Sequence, residues 1–243
     1  MSEAEEIVKC INGYLEKELS YAKDIAILFS GGIDSTVLAK ICKNKWECTL
    51  YTLCLPKSHD ETWPSYVAEK LGMNHVIVKP SEGDIAESVK TIKTLFDDIS
   101  PIGLSVESLV YLLMKNIKEE YIISGQGADE MFAGYNRYLV VSSNLDKILE
   151  KDKGILINSH IKWDLELAKR FNKKIIYPYL STCLEDLKIP STLKIKDGIR
   201  KYILREAAIY LSIEKDIAYK EKKAAQYSSG MYRYIKKLTK IKS

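Results

Sequence analysis

Two short stretches of this chain gather residue types that handle anions. The first, Ser30-Gly31-Gly32-Ile33-Asp34-Ser35-Thr36, directly follows the apolar run Ile25 to Phe29. Glycines let backbone approach a ligand closely and take positive φ, and the N–H groups of a starting helix converge with side-chain hydroxyls on phosphate. An ordinary strand-to-helix turn capped by Asp34 or Ser35 uses the same residues, so the glycines alone do not decide. Asp34 adds a condition: beside phosphate its charge calls for a cation such as Mg2+ between the two. The second stretch, Ser124-Gly125-Gln126-Gly127-Ala128-Asp129-Glu130, follows the apolar Tyr121 to Ile123 by the same logic and implies a second anion or metal loop. His59, His75 and His160 stand apart from both and read as packing or surface residues.

The elements that must carry these loops follow from hydrophobic spacing. Ile7, Ile11, Leu15 and Leu19 recur every four residues, which predicts an opening helix with one buried stripe. Ile25 to Phe29 reads as a strand buried on both faces, and helical spacing resumes at Val37, Leu38 and Ile41. Cys48 to Leu55 is a second strand ending at Pro56. A helix through Tyr66, Val67 and Leu71 closes at Gly72, and His75 to Val78 is a third strand. A helix over Glu107 to Ile117 leads into Tyr121 to Ile123. After about Asn144 helices dominate: Asp164 to Phe171, Ile199 to Leu211 and Tyr232 to Thr239. This alternation predicts an α/β fold, a mostly parallel sheet with flanking helices and a helical C-terminal part. The expected division is an N-terminal helix at 1–20, an α/β part carrying both glycine loops at 21–143 and a helical part at 144–243 of the same domain.

Composition narrows the function classes. The chain has 243 residues, 46% of them hydrophobic, enough for one substantial core. A net charge of +4 from 37 basic and 33 acidic residues is too balanced for a nucleic-acid coat, so nucleic acid is not an expected partner. Five cysteines show no CxxC pair, and their odd count points to buried or idle thiols. There is no apolar leader and no run approaching the ~18 residues of a membrane span, which places the chain in the cytoplasm, away from membranes. Nothing in the sequence opposes a homo-oligomer.

The full string SGGIDS is similar to the signature of the PP-loop ATP pyrophosphatases, whose loop holds the pyrophosphate portion of ATP; no GxxxxGK[ST] motif supports a Walker site. The second segment, IISGQGADEMFAGY from Ile122 to Tyr135, resembles the SGxGxDExFxGY segment of the asparagine synthetase C-terminal domain. The resemblance continues through Tyr177-Pro178-Tyr179-Leu180, Lys201-Tyr202-Ile203-Leu204-Arg205 and the lysine-bearing stretch Lys222 to Gly230, covering nearly the whole chain from about residue 20.

That resemblance implies an AMP-forming amide synthetase using ATP and Mg2+. The default substrates are aspartate and ammonia, reacting through β-aspartyl-AMP with release of pyrophosphate. It implies Asp34 and Asp129 as metal ligands, with Ser30, Gly31, Gly32, Ser35 and Thr36 at the phosphates and Ser124, Gly125 and Gly127 in the second loop. Leu28 and Leu53, at strand ends, would lie near adenine. Lys201 and Lys222 are the candidate catalytic cations, with Lys223 the rival of Lys222, and Gln126 and Glu130 complete the catalytic set.

Two departures stand out. Glutamine-dependent members carry a nucleophilic Cys after the initiator Met, whereas Ser2 follows Met1 here and only residues 1–20 precede the matching region. Free ammonia or a separate glutaminase subunit is then the expected nitrogen source. Gln126 stands where many asparagine synthetases have Glu, and a neutral amide cannot take a proton from ammonium. The alternatives are adenylation of another carboxylate, as in β-lactam synthetase, and a nucleotide-binding subunit dependent on a glutaminase. A tRNA-modifying enzyme of the wider superfamily comes third.

Overall fold

Five parallel strands organise the chain in the spatial order β3-β2-β1-β4-β5. They are β1 (Asp24–Leu28), β2 (Glu47–Leu53), β3 (Asn74–Val78), β4 (Tyr121–Ile123) and β5 (Lys174–Ile176). The computed structural model describes residues 2–55, 62–97, 99–141, 144–221 and 229–240. Ala26 of β1 pairs with Thr49 on one side and Ile122 on the other, so β1 is central. The chain builds outward from β1 through β2 and β3, then returns to add β4 and β5 on the opposite side. The order therefore reverses between β1 and β4, and in open sheets of this kind the crevice beyond the strand ends at that reversal is where ligands bind.

Helices cover both faces. One is packed by α1 (Glu3–Glu18), α2 (Ile33–Cys42), α3 (Thr62–Leu71) and the helix Tyr202–Tyr210. The other is packed by α4 (Glu82–Leu95), α5 (Pro101–Asn116), α8 (Lys162–Arg170) and the C-terminal helix Met231–Lys240. Alternation within β1 explains how one strand serves both layers: Ile25 and Ile27 join the first core and Ala26 the second. The predicted stripe of α1 is buried along Ile7, Ile11, Leu15 and Leu19, and Gly72 closes α3 at φ +59. Two further α-helices lie between β4 and α8: the short α6 (Ala128–Met131) after the second loop, and α7 (Leu145–Leu156).

Several elements depart from the sequence reading. The fifth strand comes from beyond residue 143, where only helices were expected; at three residues β5 is too short to show a period. The α4 helix also escapes the periodicity reading, although Ser81 and Asp84 form a full capping box at its start. α5 begins six positions early, at Pro101, because the Ser100 hydroxyl accepts from Gly103 N at 3.0 Å. Ile199–Arg200 pairs with Ile195–Lys196 as a small antiparallel ladder, so the following helix starts only at Tyr202. Cys10 and Cys183, expected as thiols, are joined by a disulfide that ties α1 to the segment after β5, while Cys42, Cys48 and Cys54 are free. Among the described residues no helix is long and apolar enough to cross a membrane.

Candidate active site

The first loop leaves β1 and enters α2 with its hydroxyls turned inward. Ser35 Oγ donates to Gly32 O at 3.2 Å and accepts from Ser30 N at 3.2 Å; Thr36 Oγ1 donates to Gly32 O at 2.8 Å. Thr36 is fully buried, and in this structure its hydroxyl is spent on the loop backbone at Gly32 O. Ser30 Oγ accepts from Gly32 N at 3.3 Å. Gly31 sits at φ +66, and a Cβ there would lie 3.0 Å from Pro64 Cα and 3.1 Å from the Trp63 ring, so both backbone and space demand glycine. The Trp63 indole N–H donates to Gly31 O at 2.9 Å, and Lys220 Nζ lies 4.7 Å from the Trp63 ring centroid. Leu28 and Leu53 stand at the carboxyl ends of β1 and β2, on the rim where the loops emerge.

The second loop leaves β4 beside the first. Ser124 N donates to Ile176 O at 3.0 Å, and the buried Ser124 hydroxyl accepts from Gln126 N at 3.3 Å. A Cβ on Gly125 would stand 3.3 Å from Asp34 Cβ, so the absent side chain lets the two loops touch. Gly127, at φ +91, precedes α6, which carries Asp129 and Glu130. Glu130 is buried, which raises its carboxyl above the usual range, while the Tyr135 hydroxyl donates to its Oε1 at 2.6 Å.

Lys201 joins the loops. Its Nζ donates to both Asp34 oxygens at 2.7 Å and lies 2.8 Å from Asp129 Oδ1. The lysine side chain is 8% exposed against 26% for Asp34 and 35% for Asp129, so the cation is the inner member and the carboxylates face outward. Burial opposes the ammonium charge, but the two carboxylates outweigh it and hold the Lys201 pKa above the ordinary value. Burial also raises the Asp34 carboxyl, with Lys201 drawing it back down. Lys201 adopts left-handed backbone, φ +55, a conformation costing a non-glycine residue of order 1 kcal/mol. Space is equally tight: a Cβ on Gly134 would lie 1.8 Å from Asp129 Oδ1 and 2.2 Å from Lys201 Cε. Tyr179 completes the clamp by donating its hydroxyl to Asp34 O at 2.8 Å.

The sequence-predicted Asp34, Asp129, Lys201 and the two glycine loops are thus brought together. Lys222 and its rival Lys223 lie outside the described residues. Gln126 belongs to the same loop, but its amide turns away from the aspartates and donates to the buried Asp164 at 3.0 Å. Trp63, Asp164, Glu107 and His160 were not singled out for the site by sequence. Trp63 offered no motif. Asp164, by contrast, sits in line with the buried Ile161, Leu167 and Ala168 on one helical stripe, which is a readable signal.

Residues 15–186 match the family model described as asparagine synthase. The chain belongs to the asparagine synthase family. A relative from Methanocaldococcus jannaschii, named "Putative asparagine synthetase (glutamine-hydrolyzing) 1", is 26% identical over 258 residues, covering 89% of this chain and 48% of the relative. The glutamine-hydrolyzing asparagine synthetase of Rattus norvegicus is 27% identical, covering 90% of this chain and 42% of its own length. The chain therefore spans about half the length of the curated relatives it matches. Among solved structures, the NMN synthetase from Francisella tularensis superposes with TM-score 0.52 at 14% identity, over 99% of this chain and 87% of that one, a likeness of fold.

Proposed function

We propose that this chain is an ATP-dependent, AMP-forming amide synthetase, with aspartate as the carboxylate and ammonia as the nitrogen donor. The observation that carries the reading is the Asp34–Lys201–Asp129 bridge at the strand-order reversal, set between two glycine loops in an asparagine synthase family member.

A carboxylate resists amine attack because its charge repels the nucleophile and oxide leaves poorly. Adenylation removes both obstacles: the β-carboxylate of aspartate attacks the α-phosphorus of ATP and pyrophosphate departs. Ammonia then attacks β-aspartyl-AMP to give asparagine and AMP. Charge accumulates on pyrophosphate in the first step, so donors aimed at that end lower the barrier. The first loop's backbone and the start of α2 supply them, with Lys201 and Lys222 as cations. Glycine at 31 and 125 keeps this floor free of side chains.

Asp34 and Asp129 fit a shared Mg2+. They already converge on one positive charge, their carboxylates are the more exposed members of the cluster, and hard oxygen ligands suit this ion. Among the described residues no three His, Cys, Asp or Glu side chains form a metal site. Mg2+ here would rest on two carboxylates plus phosphate oxygens, neutralising charge on the polyphosphate when bound.

Incubation with Mg-ATP, aspartate and ammonium should yield AMP, pyrophosphate and asparagine together; pyrophosphate without asparagine, or ADP in place of AMP, would refute the assignment. A second reading, adenylation of a different carboxylate, is favoured by one observation, the neutral Gln126 in the second loop. A pyrophosphate-release screen over carboxylic acids separates the two. A separate glutaminase subunit, sought by co-purification, is the partner this reading allows.

A further inference from the structure

Beneath the second loop lies a cluster of ionisable groups that the adenylation step leaves unused. Glu107 of α5 and Asp164 of α8 are both fully buried. Each carboxyl has one oxygen held by neighbours. Glu107 Oε1 is 2.7 Å from His160 Nδ1, and Asp164 Oδ2 accepts from Gln126 Nε2 at 3.0 Å and from the Tyr177 hydroxyl at 3.0 Å. The other oxygens, Glu107 Oε2 and Asp164 Oδ1, have no hydrogen-bond partner among the described residues. The two side chains interact directly, and two buried carboxyls in contact, with no lysine or arginine among the described residues shown against them, cannot both ionise; a shared proton removes the conflict. Burial pushes Glu107 up to about 8, and burial together with the Glu107 charge pushes Asp164 well above its usual range.

The cluster spans from loop to surface. Gln126, in the second loop, has one neighbour, Gly125, against Asp34, and its own side-chain carbonyl is an unpartnered, buried acceptor. At the far end His160 is 26% exposed, with the Trp163 ring edge-on to it at 5.2 Å. Burial lowers the His160 pKa, so it is neutral near pH 7 and can accept a proton. His160 sits in a π-helical turn, Ile157–Ile161, directly before α8. Such one-residue insertions re-aim side chains. The other titratable groups facing the cluster are Glu130, which acts on His160, and Tyr14, which acts on Tyr177.

We propose that the Glu107–Asp164 pair is the proton sink of the amide-forming step, taking over the task that the neutral Gln126 cannot perform. This deepens the amide-synthetase reading and rests on it. Ammonia's lone pair forms the new C–N bond, and the C–O bond to AMP breaks with its electron pair leaving on AMP. Before that attack ammonium gives one proton to the ionised member of the pair, which passes it through His160 to solvent; the proton the nitrogen sheds once the C–N bond has formed leaves on the AMP phosphate. Asp164 also fixes the Gln126 amide, so that its carbonyl oxygen remains available to an N–H donor.

The test compares two nucleophiles on full-length protein. Ammonium must shed a proton before attack, whereas hydroxylamine is already neutral at pH 7 and needs the base less. Asp164→Asn should lower the ratio of asparagine to aspartyl-hydroxamate formation by about 10²-fold, the usual weight of a general base. Taken within one sample, the ratio is insensitive to the fraction folded. Glu107→Gln should also move the midpoint of the alkaline rise in amidation. An unchanged ratio in Asp164→Asn with active wild type, or an unmoved midpoint in Glu107→Gln, overturns the relay alone. Wild type that forms no AMP with any carboxylate overturns the synthetase reading, and the relay with it.

Discussion

Two carboxyl pairs a short distance apart solve the same electrostatic problem in opposite ways. Asp34 and Asp129 are partly exposed and share the ammonium of Lys201. Glu107 and Asp164 are fully buried, meet no lysine or arginine among the described residues, and relieve their repulsion by protonation. A fixed cation keeps carboxylates charged and suited to hard ligands; a bound proton keeps them titratable near neutral pH. The first pair is built to hold charge and the second to exchange it.

The comparison breaks most visibly at Lys201. Lys201→Met leaves two adjacent carboxylates without their cation and should cost about 3–5 kcal/mol in denaturant unfolding, with AMP formation falling about 10³-fold. Unaltered stability would mean that the bridge is incidental. Next in size, Gly134→Ala drives a methyl group into Asp129 and Lys201 while leaving the buried acid pair untouched. It should cost about 1–3 kcal/mol and depress AMP formation without altering the ammonium-to-hydroxylamine ratio.

A pH titration of stability addresses the second pair. In the unfolded chain Glu107 ionises at its ordinary value, about 4.3, and burial in the fold pushes it up to about 8. The fold therefore holds an extra proton between those values. Stability declines as pH rises through that window and levels off above it, by on the order of 2 kcal/mol between pH 6 and 8. Asp164, raised well above its usual range, contributes in the same direction, so Glu107→Gln should reduce the slope without abolishing it. A slope identical to wild type would show that the pair does not hold the proton.

The smallest effect belongs to Lys115, which bridges Asp84 at 3.0 Å and Glu87 at 2.8 Å in the same one-lysine, two-carboxylate pattern. All three side chains are solvated, so Lys115→Ala should leave the denaturation midpoint within error of wild type. A large loss there would erase the distinction drawn from burial.

Much of the first cluster was legible because its residues stand in contiguous loops or on a motif. Asp34 follows two glycines, Asp129 follows Gly127, and Lys201 opens the K-x-x-LR segment. The second cluster draws Glu107, Gln126, His160 with Asp164, and Tyr177 from four separate segments, and only folding brings them together. Each still left a trace. Glu107 is the one charged residue between Pro101 and Met114, on a helix otherwise destined for the core, and Asp164 occupies a buried stripe. Neither belongs to a motif, and hydrophobic spacing alone marks both only as helix bounds. The sheet's centre was legible from the apolar run at 25–29, whereas β5 was not, because three residues carry no periodic signal.

The lysine bridge also constrains how the protein is made. Asp34 and Lys201 are 167 positions apart, so during N-to-C synthesis the first loop emerges long before its counter-ion exists. An unfinished chain can pair β1 with β2 and β3, yet its nucleotide floor carries unbalanced negative charge until residue 201 has cleared the ribosome. Competence to grip a polyphosphate therefore arrives late in translation, and a truncated product ending before that point stays electrostatically mismatched to the ligand.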